Sequence, residues 1–80
     1  MFLHLGGEYS LPCSMIIGIF DLETLTRKQK DTILFLSWME KEDKVEYVSE
    51  GIPRAFVLTD DRVYFSPISS QTLRKRMRET

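Results

Sequence analysis

The chain has little of what small domains commonly use for chemistry or covalent stapling. It holds one cysteine, Cys13, and one histidine, His4, in 80 residues. A lone thiol closes no internal disulfide. One cysteine with one histidine also falls short of the four ligands of a structural zinc site. No metal and no cofactor are therefore expected. Charge of one sign is missing as well: eleven Lys and Arg face twelve Asp and Glu, a formal net charge of -1. A single copy carries no overall attraction for a polyanion. No long hydrophobic run is present either. The longest apolar window, around Ile33 to Met39, is far below the ~18 residues of a membrane span. The opening Met1-Phe2-Leu3-His4-Leu5-Gly6-Gly7 has no basic n-region and no long apolar core, so it does not read as a signal peptide. These absences point to a cytoplasmic protein with no membrane contact and no small-molecule substrate.

What is present is ordinary globular material. A hydrophobic share of 42% and a charged share of 29% place the chain among folded proteins rather than disordered ones. Eighty residues make one domain, residues 1–80, and a core this small supplies only about 3–5 kcal/mol. Self-association is an attractive further source of stability.

The pattern along the chain predicts an α+β fold: a small, mainly antiparallel sheet of four to six strands, one main helix and a short C-terminal helix. Short strands are expected at Met1–Leu5 and Tyr9–Leu11, divided by Gly6-Gly7. Met15 to Phe20 is β-branched and continuous, which suits a strand buried on both faces. Thr24 or Thr26 is placed to cap a helix running from about Thr26 to Glu42, with Leu25 as a staple. Within it, apolar residues fill six of the seven positions 33–39 and cover nearly the whole circumference, whereas a helix resting on one sheet needs a stripe of about 100°. Either the helix end is tucked deep in the core, or one face meets another subunit. The interface reading is preferred, because so small a domain has little depth to bury a whole helix, and it selects Phe35, Trp38 and Met39.

Strands follow at Val45–Ser49, Arg54–Thr59 and Val63–Phe65, the last two joined at Asp60-Asp61. Phe56 and Leu58 fall on one face, Ala55 and Val57 on the other. Ser69 or Ser70 is placed to cap a helix from about Gln71 to Met77.

Enzyme constellations fail in turn. His4 lies in an apolar strand without a partner at ligand spacing, and Cys13 has no second histidine to activate it. Gly6-Gly7 is too short for a phosphate-binding loop. Asp60-Asp61 suits a tight turn better than a cation site. No enzyme is expected. The basic residues are the remaining lead: Arg74, Lys75, Arg76 and Arg78 crowd into five positions of the last helix. Cations there complement the helix dipole and solubilise the tail, which is the plain explanation. A second group, Arg27, Lys28 and Lys30, sits where the dipole disfavours cations, and Arg54 follows the proline of a turn. Such groups suit phosphate contacts, which position a protein on DNA without reading sequence. In an assembly, weak contacts from many copies add along one rim.

The run Tyr64-Phe65-Ser66-Pro67-Ile68-Ser69-Ser70, followed by Thr72-Leu73-Arg74-Lys75-Arg76, resembles the extracellular matrix regulator family of spore-forming bacteria, RemA and RemB, and the RemB branch most. The opening Phe2-Leu3-His4-Leu5-Gly6 and the strand Ile16-Ile17-Gly18-Ile19-Phe20-Asp21 extend the resemblance over nearly the whole chain. It implies a DNA-binding regulator of biofilm matrix genes, and, for RemA, small subunits assembled into rings that present arginines to duplex DNA. RemA-like sequences carry adjacent arginines in the turn where this chain has Gly51, Ile52 and Pro53, and another where it has Ser14. The resemblance thus carries over Arg54 alone. Arg74, Lys75, Arg76 and Arg78 join the expected DNA contacts on charge alone. The competing expectation is an oligomeric interaction protein that does not bind DNA.

Overall fold

A computed structural model describes residues 1–24 and 30–79. Arg27, Lys28, Thr26 and Leu25 lie outside the described residues, so all of the expected second basic group but Lys30, the staple and one of the two cap candidates do too. The described strands are β1 (Phe2–Gly6), β2 (Tyr9–Pro12), β3 (Ile16–Asp21), β4 (Val45–Tyr47), β5 (Ala55–Thr59) and β6 (Val63–Ser66). The main helix is α1 (Lys30–Lys41) and the C-terminal helix α2 (Ser70–Glu79), with a single 3-10 turn at Cys13–Met15. The fold is α+β, as the pattern predicts. β1 and β2 form an antiparallel hairpin, and the other four strands a sheet in the order β3-β5-β6-β4. Only β4 runs parallel to its neighbour, β6.

Strict alternation in β5 divides the interior in two. Ala55 and Val57 point to one side, where they meet Leu3, Leu5 and Leu11 of the hairpin, Ile19 of β3 and Leu73 of α2. Phe56 and Leu58 point to the other, against Leu36 and Met39 of α1 with Val63 and Phe65. The sheet is thus a central layer with the hairpin and α2 on one face and α1 on the other. Aromatic packing stiffens the α1 side. Phe20 stacks on Phe56 with ring centroids 5.0 Å apart, and Phe56 meets Phe65 edge-on at 6.2 Å, both favourable ring geometries. Across the layers, the buried Ser66 hydroxyl donates to the Leu5 carbonyl at 2.6 Å and ties the hairpin to β6.

Two glycines are required locally. Gly7 turns the hairpin at φ +54, and a Cβ there would meet the Val48 carbonyl oxygen at 2.9 Å. At Gly18 a Cβ would press into the Phe20 ring at 2.7 Å, so the glycine lets that ring lie back over its own strand.

Two local expectations are corrected. β3 is not buried on both faces: most of its residues are only partly covered, and Ile17, at a shift of register with β5, is 64% exposed. An unbroken apolar run says that a segment is extended, not that both of its faces are covered. At the helical residues 22–24 the capping side chain is Asp21, whereas the start of the main helix, where Thr24 or Thr26 is the expected cap, lies outside the described residues. The Asp21 carboxylate accepts from the Glu23 and Thr24 amides at 3.0 and 3.4 Å and from the Thr24 hydroxyl at 3.1 Å. Met39, grouped with the expected interface, is only 5% exposed and packs in the protein's own core.

Candidate nucleic-acid interface

The basic helix begins where the serine pair places it. Ser69 is the cap: its hydroxyl oxygen accepts from the Thr72 amide at 3.2 Å, and the Ser69 carbonyl accepts from the Leu73 amide at 3.0 Å. Ser70 is the first helical residue and is buried. Leu73 is fully buried against the hairpin and β5, with Met77 half-buried one turn later. That spacing turns Arg74, Lys75, Arg76 and Arg78 outward, and all four are exposed.

Two of the four are also tethered. The Arg74 guanidinium donates to the Ile19 carbonyl at 2.6 Å, and that of Arg76 to the His4 carbonyl at 3.1 Å. α2 therefore lies between β3 of the large sheet and β1 of the hairpin and fastens to both. Each arginine has five N–H donors, so most of each fork remains turned to water. The side chains of Lys75 and Arg78 form no hydrogen bond or ion pair with the described residues.

Arg54 reaches the same region from β5. Its amide donates to the Ser66 carbonyl at 2.8 Å and its carbonyl accepts from the Leu22 amide at 3.1 Å, so the backbone is held on both sides while the side chain is exposed. A shallow depression of about 320 Å³ runs from Ile52, Pro53 and Arg54 to Ser70 and Gln71. A second, of about 330 Å³, shares Asp21, Ser70 and Gln71 and ends at Arg74. Arg54 and Arg74 thus border one strip of surface at the start of α2.

That strip is not uniformly positive. The Thr24 amide holds the Asp21 carboxyl below its usual range, with the Thr24 hydroxyl, the Glu23 amide and the Arg54 charge acting in the same direction and partial desolvation opposing them. Asp21 stays ionised and repels an anion in the middle of the strip. Glu23 also lines the depression at the Arg54 end, so the net positive ground is along the outer side of α2.

The other expected site residues lie on the opposite face of the sheet. Phe35 and Trp38 are exposed on α1, with the Lys44 ammonium 5.9 Å from the Trp38 ring centroid. Lys30, the one described residue of the second basic group, opens α1 and is exposed. His4 contacts the Gly7 carbonyl through Nε2 at 3.0 Å. Asp60 and Asp61 form the β5–β6 turn, where the Thr59 hydroxyl lies 3.2 Å from Asp61 Oδ1. No cluster of three or more metal-ligating side chains occurs among the described residues. No helix among them is long and apolar enough to cross a membrane. The arginine–carbonyl tethers join residues 55 and 72 positions apart, and the charge pattern gives no sign of them.

No family model matches the chain. It is similar to the Extracellular matrix regulatory protein B of Bacillus subtilis (strain 168), with 33% identity over 76 residues, or 95% of this chain and 89% of that protein. The chain belongs to the family of extracellular matrix regulatory protein B. The match covers 95% of the chain, so the family assignment rests on nearly the whole domain rather than on the serine-capped helix alone.

Proposed function

We propose that this chain is a non-enzymatic regulator of extracellular matrix genes. In this reading it acts in the cytoplasm as one self-associating domain of residues 1–80 and contacts duplex DNA mainly through phosphates. Arg54, Lys75 and Arg78 are the principal contacts, with the outward donors of Arg74 and Arg76 beside them. The observation that supports it most is near full-length similarity to a protein named for matrix regulation. The flanking cations supply the chemistry: exposed guanidinium and ammonium groups on a rigid helix and a fixed strand end are suited to backbone phosphates.

An electrophoretic mobility shift against salt tests it. Duplex DNA is expected to be retarded at ~50 mM salt and released by ~200 mM, with log affinity falling by about 0.9 per phosphate neutralised for each decade of salt. Lys75→Ala and Arg78→Ala each flatten that slope by about one contact. No retardation at ~50 mM by the assembled protein overturns the reading. A second reading has its own support: the carbonyl tethers of Arg74 and Arg76, with Asp21 between the flanks, suit an interaction protein that does not touch DNA. Assembly in light scattering without any DNA shift selects it.

A further inference from the structure

Ser70 is a buried polar residue whose hydroxyl the fold itself does not use. It shares a helix face with Leu73 and Met77, is only 6% exposed, and lines both depressions at the start of α2. Its hydroxyl makes no hydrogen bond to the described residues. An enclosed hydroxyl is costly unless something bonds it. Among the described residues no side-chain oxygen or nitrogen sealed from solvent lacks a partner, so the Ser70 hydroxyl opens on the depressions. The amides of Ser70 and Gln71, in the first turn of the helix, are likewise unbonded by the described residues. Three donors thus stand together at one helix end.

The hollow they border, about 320 Å³, is at the small end of ligand pockets. It carries both signs, with Arg54 against Asp21 and Glu23. A phosphate or a bare carboxylate is repelled by the two acids, and a bare amine by Arg54 and the positive end of the helix. A molecule with both charges a few bonds apart meets neither objection. Asp21 keeps an acceptor site for an ammonium: its Oδ2 takes only the Thr24 hydroxyl, and a carboxylate oxygen accepts two bonds. Ile52, 86% exposed, and Pro53 supply an apolar wall. We propose that this hollow binds a free α-amino acid with an aliphatic side chain. The carboxylate takes the Ser70 hydroxyl, the Ser70 and Gln71 amides and the Arg54 guanidinium. The ammonium takes Asp21, and the side chain rests on Ile52 and Pro53. The end of a peptide carries just one of the two charges at this spacing and fits less well. The site does not depend on DNA contact, although it draws Arg54 to a second ligand.

Amide NMR spectra of the full chain, recorded without DNA, test this with three probes of one shape. They are L-leucine, isocaproate, which lacks its amine, and isopentylamine, which lacks its carboxylate. L-Leucine is expected to shift the Ser70 and Gln71 amides and to saturate in the millimolar range, with the other two at least about 10-fold weaker. Ser70→Ala and Asp21→Asn each weaken L-leucine by about 10-fold, with circular dichroism confirming that both fold. Should Asp21→Asn disturb its turn, Arg54→Ala removes the opposite charge from an exposed position and is expected to weaken binding equally. L-Leucine silent at these amides up to about 100 mM leaves Ser70 to water and overturns the proposal. So does isocaproate or isopentylamine binding as tightly as L-leucine, which makes the hollow a site for one charge only. Unchanged binding in Ser70→Ala overturns it too. None of these results bears on the mobility shift, and a failed shift leaves this site standing.

Discussion

The two helices cover opposite faces of one sheet and finish their outer surfaces differently. α2 buries Leu73, half-buries Met77 and turns a row of cations to water, two of them fastened to strand carbonyls. α1 buries Leu36 and Met39 and leaves Ile33, Leu34, Phe35 and Trp38 exposed. Helix propensity does not separate them. What differs is the width of the apolar stripe relative to the sheet beneath it. α2 has as much apolar surface as its seat accepts and is complete as it stands. α1 has more, and the excess is left exposed to water.

The comparison breaks first at its buried side. Leu73→Ala empties a fully enclosed site and is expected to lower unfolding free energy by about 2–5 kcal/mol. Leu34→Ala, on the exposed side of α1, is expected to stay within about 0.5 kcal/mol of the unmodified chain. Urea denaturation at low protein concentration measures both. Equal losses would mean that α1 is no less enclosed than α2.

The tethers come next. Arg74→Ala removes the donor to Ile19 and is expected to cost about 1 kcal/mol in the same assay, whereas Arg78→Ala leaves stability unchanged and weakens only the DNA shift. If Arg74→Ala is silent in unfolding, the helix is seated by Leu73 and Met77 alone.

The smallest effect separates the two caps. Asp21 titrates and Ser69 does not. Because Asp21 has a lower pKa folded than unfolded, acid protonates the unfolded chain first and favours it. Its contribution is full above the ordinary carboxylate range, about pH 4, and is lost as pH falls through the lower folded value. The melting temperature is expected to drop less between about pH 6 and pH 3 in Asp21→Asn than in the unmodified chain. Identical drops would remove Asp21 from the acid response.

Much of this was legible in the residues, for reasons that are themselves local. Alternation in Ala55-Phe56-Val57-Leu58 sorted its side chains correctly between the two interiors, and Ser69 was one of two serines placed to start the last helix. The surplus of apolar residues on α1 was visible too, although Met39 went to the core because the stripe's position depends on where the sheet lies. Elsewhere the deciding partner is distant in sequence. Strand order makes β3 terminal, and nothing within Ile16–Asp21 records that β5 is its one strand neighbour. β4 beside β6 in parallel depends on the path of the intervening chain. The Arg74 and Arg76 tethers require knowing which carbonyls the fold leaves within reach. Asp21 closes β3, and its second role, as acceptor for the amides of Glu23 and Thr24, appears only once the chain turns there.

The hold of Arg74 on β3 has a consequence for how copies can grow together. A terminal strand ordinarily offers its backbone as a template, on which like chains add one after another into fibres. Here the run is interrupted twice within four residues, by the displaced Ile17 and by a guanidinium on the Ile19 carbonyl. An edge broken in this way is a poor template for open-ended stacking of like strands.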